Sequence, residues 1–103
     1  MSIKSILVVE DEPNIAAPLI RVLKEQGFDA MRVATIFEAK DAMKNNNFSA
    51  IVLDVKLPDG NGFDFCKELR KTNDIPILFL TSLSDEVDKI VGLEIGADDY
   101  MTK

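Results

Sequence analysis

The chain has 103 residues, a length for one hydrophobic core rather than two. It is 47% hydrophobic and 29% charged, the balance of an ordinary globular protein, and its net charge of −6 argues against a nucleic-acid surface, which needs a basic patch. With no His and a lone Cys66, His-based catalysis, most zinc chemistry and a disulfide framework are excluded.

In chain order, strands and helices alternate. Ile3 to Val9 is an apolar strand ending at Glu10-Asp11. Pro13 to Gln26 reads as a helix: Pro13 suits its first turn, Ile15, Leu19, Val22 and Leu23 form an apolar stripe, and Gly27 stops it. Pro18 conflicts with that helix, because it removes one hydrogen bond and crowds the previous turn, so a bend or an irregular start is expected. Phe28 to Val33 alternates in polarity, as a half-exposed edge strand does. Thr35 with Glu38 makes a capping box for a helix that turns Ile36, Ala39, Ala42 and Met43 inward and breaks at Asn45-Asn46-Asn47.

Ser49 to Leu53 is a third strand, which delivers Asp54 at its tip. Leu57 to Gly62 is rich in turn residues. A helix from Phe63 to Lys71 follows, with Phe63, Cys66 and Leu69 on one side, so Cys66 is expected to pack rather than react. Ile75 to Leu80 is a fourth strand, ending at Thr81-Ser82. Ser84 or Asp85 opens a helix through Val87, Ile90 and Val91 that stops at Gly96, and Asp99 to Thr102 is a short fifth strand. Such alternation predicts an α/β fold: a doubly wound, flavodoxin-like parallel sheet of order 2-1-3-4-5, with its crevice beyond the C-terminal strand ends.

Glu10, Asp11, Asp54 and Thr81 all fall at that edge. Three carboxylates brought together repel and call for a cation, and a small set of hard oxygens favours Mg²⁺ over a calcium cage. Mg²⁺ beside one open carboxylate suits phosphoryl transfer to it, with the Thr81 hydroxyl and the Lys103 ammonium on the phosphoryl oxygens. A phosphate-binding nucleotide loop is missing after the first strand, where acids stand instead. A phosphohydrolase of the haloacid-dehalogenase type needs a second Asp two residues after the nucleophile, and Lys56 stands there.

The segments Val8-Val9-Glu10-Asp11-Glu12, Val52-Leu53-Asp54-Val55-Lys56-Leu57-Pro58-Asp59-Gly60, Leu80-Thr81-Ser82 and Gly96-Ala97-Asp98-Asp99-Tyr100-Met101-Thr102-Lys103 together resemble a response-regulator receiver (CheY-like) domain of two-component signalling, most closely the OmpR/PhoB branch. The resemblance implies that Asp54 accepts a phosphoryl group from a sensor histidine kinase. Asp11 would bind Mg²⁺ directly, Glu10 through water, and Asp54 with the Lys56 backbone carbonyl would complete the protein ligands. Thr81 and Lys103 would hold the phosphoryl group, and Thr81 with Tyr100 would form the conformational switch. The output would be transcription, through a DNA-binding domain absent from this chain. The module would catalyse only its own phosphorylation and dephosphorylation.

Relative to that family, residues 1–103 are expected to be an incomplete receiver that lacks the last helix. The bared apolar face would then make the chain weakly stable or drive self-association, through that face or through the fourth helix and fifth strand. Lys103, at the terminus, would be poorly fixed. Leu83 offers no acid to orient water, so slow self-dephosphorylation is expected. A fold-only module that is never phosphorylated is the alternative. The N-terminal apolar run is too short for export or membrane insertion, so a cytoplasmic protein with no membrane contact is expected.

Overall fold

The computed structural model describes residues 4–81 and 99–102. Its elements in chain order are β1 (Ser5–Val9), α1 (Pro13–Glu25), β2 (Asp29–Val33), α2 (Ile36–Asn45), β3 (Ala50–Asp54), β4 (Lys56–Leu57), β5 (Gly60–Asn61), α3 (Gly62–Arg70), β6 (Ile77–Thr81) and β7 (Asp99–Thr102). The main sheet is parallel, with order β2-β1-β3-β6-β7, and β4 and β5 form a separate antiparallel hairpin. This is the flavodoxin-like arrangement that the sequence predicts. The helix expected between Ser84 and Gly96, together with Leu83 and Lys103, lies outside the described residues.

The strand pleat sorts side chains onto two faces. Leu7, Val9, Ile51, Leu53, Ile77 and Phe79 point to one face, where Ala39 and Ala42 of α2 and Phe63, Phe65 and Cys66 of α3 complete a buried core. The rings of Phe63 and Phe79 meet edge to face, with centroids 4.9 Å apart. Ile6, Val8, Val52 and Leu80 point to the other face and meet the half-buried Ile15, Leu19, Ile20 and Leu23 of α1. Phe65 is a core residue that the sequence reading had not placed inward.

Local chemistry explains the helix ends. Gly27 takes φ +92°, open only to glycine without strain, and a Schellman pair closes α1: Gly27 N–H donates to Lys24 O and Phe28 N–H to Leu23 O. Thr35 Oγ1 accepts from Glu38 N–H at 3.0 Å, while Glu38 Oε1 accepts from Ala34 N–H at 3.1 Å, the capping box shifted one residue outward. Asn46 stops α2 by turning extended and donating its amide to Ala42 O. In contrast to the expected disturbance, α1 runs unbroken through Pro18. Both Pro18 and Asn14, whose carbonyl loses its helical donor, lie on the exposed side, open to solvent.

Candidate functional site

Parallel register builds the site. Val9 stands opposite Leu53, so the residues that follow, Glu10 and Asp54, leave adjacent strands side by side. Asp54 is itself the last residue of β3 and stands opposite Leu80, which puts Thr81 one step beyond it on β6. Glu10 and Asp54 are 0% and 3% exposed, two buried carboxylates in an otherwise apolar sheet. Asp11 is more open. Carboxylate oxygens of Glu10, Asp11 and Asp54 all lie within 4.8 Å of one another.

At that spacing two charges repel by roughly 3 kcal/mol at an effective dielectric near 20. Three hard oxygen donors, two of them shielded from water, suit a small divalent cation, so the donor set fits a metal site. Asp11 is not spent on capping α1, whose N-cap is Glu12 with no side-chain hydrogen bond to the helix.

The chain just after Asp54 is held tightly. Gly62 opens α3, and its N–H donates to Val55 O at 2.6 Å. A Cβ at Gly62 would run into the Asp54 carbonyl oxygen and lie 3.1 Å from its carbonyl carbon, so only glycine lets α3 start this close to the acid's own backbone. Asn61 caps α3, its Oδ1 accepting from Phe63 N–H at 2.7 Å. Lys56 is exposed at the start of the β4–β5 hairpin.

Sequence reasoning missed two further supports. Asp59, at the hairpin tip, accepts Ile36 N–H through Oδ1 and Phe37 N–H through Oδ2, both at 2.9 Å, and so caps α2 from 23 residues away. These two bonds hold its carboxyl below the usual carboxylate range, the Phe37 bond most of all. The Pro58-Asp59-Gly60 turn residues signalled a loop, but neither the hairpin nor its target. Arg32, at the end of β2, reaches the backbone of Glu10 and Asp11. Of the other predicted site residues, Thr81 ends β6 and Tyr100 lies in β7 opposite Phe79, while Lys103 lies outside the described residues.

Residues 6–103 match the family model described as response regulator receiver domain. The chain belongs to the response regulator receiver family. RegX3 of Mycolicibacterium smegmatis, a sensory transduction protein, is 41% identical over 99 residues, covering 96% of this receiver and 43% of the relative. The regulator ycf27 of Porphyridium aerugineum is 43% identical over 103 residues, covering 100% of the receiver and 43% of the relative. The receiver thus spans less than half the length of these relatives, and its likeness to RegX3 places it with the OmpR/PhoB type.

Among solved structures, a response regulator from Chloroflexus aurantiacus superposes with TM-score 0.93 at 36% identity, over 99% of this receiver and 86% of that chain. The receiver domain of the TMAO respiratory regulator TorR gives 0.91 at 39% identity, over 97% and 83%. Receiver domains are signalling modules that interact with sensor histidine kinases. No helix among the described residues is long and apolar enough to cross a membrane.

Proposed function

We propose that this receiver is switched by phosphorylation of Asp54 from a histidine kinase, and that it controls transcription through a longer parent protein. The observation that carries the proposal is the placement of Asp54: a buried carboxylate at the tip of a central strand, within 4.8 Å of two more acids. One Asp54 oxygen attacks phosphorus, the new P–O bond forms, and the bond to the donor's histidine nitrogen breaks. Mg²⁺, when bound, supplies charge neutralisation for the phosphoryl oxygens. Asp11, Asp54 and, through water, Glu10 would hold it, with the Lys56 carbonyl as a further ligand. Thr81 and Lys103 receive the phosphoryl oxygens, and Tyr100 shifts with Thr81. The register supports the Thr81 part, since β6 ends one residue beyond the partner of Asp54.

The tight backbone around Asp54 gives the switch a lever. Charge added at Asp54 acts on a strand end that α3 abuts through Gly62, so small displacements are felt as packing changes. The test is intact mass after incubation with acetyl phosphate and Mg²⁺. One added phosphoryl group is expected, absent from Asp54→Asn and from a metal-free sample. No gain in the wild type sinks the proposal for this chain.

We further propose that residues 1–103 are the incomplete receiver portion of a cytoplasmic regulator. One observation supports the first part: the chain spans 43% of its relatives' length. A version carrying the parent's following residues is expected to melt several degrees higher. An unchanged melting temperature contradicts it.

A further inference from the structure

Arg32 ends in a position that its sequence neighbours do not explain. Its Nε donates to the Glu10 carbonyl at 2.9 Å and its Nη2 to the Asp11 carbonyl at 2.8 Å. These are the main-chain carbonyls of the two acids that gather with Asp54. The same segment is held from its other side. Glu10 N–H donates to Val33 O at 3.0 Å, and Glu12 N–H donates to Glu10 Oε2 at 3.3 Å. Residues 10–12 are therefore pinned at successive peptide groups, although they belong to no regular element.

An arginine beside three carboxylates ordinarily forks onto one of them. Arg32 does not: among the described residues it forms no ion pair, and its Nε and Nη2 donate to carbonyl oxygens. Its hold is on the main chain, so it fixes the peptide units that carry Glu10 and Asp11 while its own hydrogen bonds take no carboxylate oxygen of either. We propose that Arg32 is a positioning residue of the acidic site, orienting Glu10 and Asp11 toward Asp54 for divalent-cation binding without competing for their side chains. This rests on the Mg²⁺ reading above.

Two influences of Arg32 on cation affinity have opposite signs. Its charge opposes a nearby cation, whereas its hold on the backbone pre-forms the ligand set. Groups that orient metal ligands typically change affinity by roughly 10–100-fold. Positioning is taken to win because a planar fork satisfies two adjacent carbonyls at once, a geometry that a lysine ammonium reproduces poorly.

The experiment is Mg²⁺ titration by calorimetry of the wild type, Arg32→Lys, Arg32→Gln and Asp11→Asn. Far-UV circular dichroism checks folding, and hydrogen exchange of the 10–12 amides is read without metal. Arg32→Gln is expected to weaken Mg²⁺ binding about tenfold or more, Arg32→Lys by less, and both to speed exchange at Asp11 and Glu12. Tighter binding in Arg32→Gln with an unchanged Arg32→Lys would show a charge effect only and overturn the proposal. So would equal affinities in all three, even with lowered melting temperatures. Should Arg32→Gln fail to fold, Arg32→Lys alone decides. A wild type that binds no Mg²⁺, or binds it undiminished in Asp11→Asn, removes the metal reading itself and this inference with it.

Discussion

The two faces of the sheet differ sharply. Among the described residues, the face toward α2 and α3 holds thirteen buried residues in one cluster, and the face toward α1 holds four, so the first carries most of the packing energy. The helices differ in the same way. α3 buries Gly62, Phe63, Phe65 and Cys66 within nine residues, whereas α1 buries only Ala16 within thirteen. The acids sit where the two faces meet: Asp54 shares the pleat of Val52 on the α1 face, while its backbone is gripped by Gly62 of α3. A buried carboxylate on the thin side, anchored through the dense side, is placed to respond to charge without endangering the core.

The largest test of this contrast is a pair of truncations. Phe79→Ala is expected to cost about 3–5 kcal/mol in urea unfolding, since it empties a buried aromatic site on the dense face. Leu19→Ala, on the half-buried α1 face, is expected to cost no more than about half as much. Equal losses would break the comparison. Gly62→Ala comes next, at roughly 1–3 kcal/mol, because the new methyl must displace the Asp54 backbone rather than a flexible side chain. It should also slow phosphorylation by acetyl phosphate more than a stability loss alone explains. A variant with normal stability and labelling would show that the grip on Asp54 is loose.

Thr35→Ala and Asn61→Ala each remove a cap on the dense side and should cost about 1 kcal/mol. The smallest effect concerns Asp59. Its folded pKa lies below the ordinary 3.8, so its stabilisation is complete above that value and fades as pH falls toward the folded pKa. An NMR titration of its carboxyl should give a midpoint below 3.8 in the folded protein, and Ile36→Pro, which deletes one donated N–H, should raise it. A midpoint at or above 3.8 would mean that the hairpin does not hold α2.

Particular residues show what was legible. The apolar runs of β1, β3 and β6 marked three central strands, and the alternating Phe28–Val33 stretch marked β2 as an edge. Boundaries slipped by a residue or two. Asp54 and Thr81 belong inside their strands rather than after them, because the ladder continues as long as a parallel neighbour supplies partners. Pro18 misled, since local propensity predicts trouble where solvent on the exposed side removes it. The β4–β5 hairpin was hidden, because a two-residue strand leaves no periodicity to read.

The sequence by itself determined the alternation of strands and helices, the sheet order and the convergence of Glu10, Asp11 and Asp54 at one edge. Periodicity is a local property, and parallel right-handed crossovers leave few ways to assemble it. Only the tertiary structure decided that Asp59 caps α2, that Gly62 abuts the Asp54 carbonyl and that Arg32 bonds the Glu10 and Asp11 carbonyls. Two of these join residues more than twenty positions apart, and all three depend on distances of a few ångströms. Those distances exist only once strand register and helix placement have set the backbone, so no spacing along the chain encodes them.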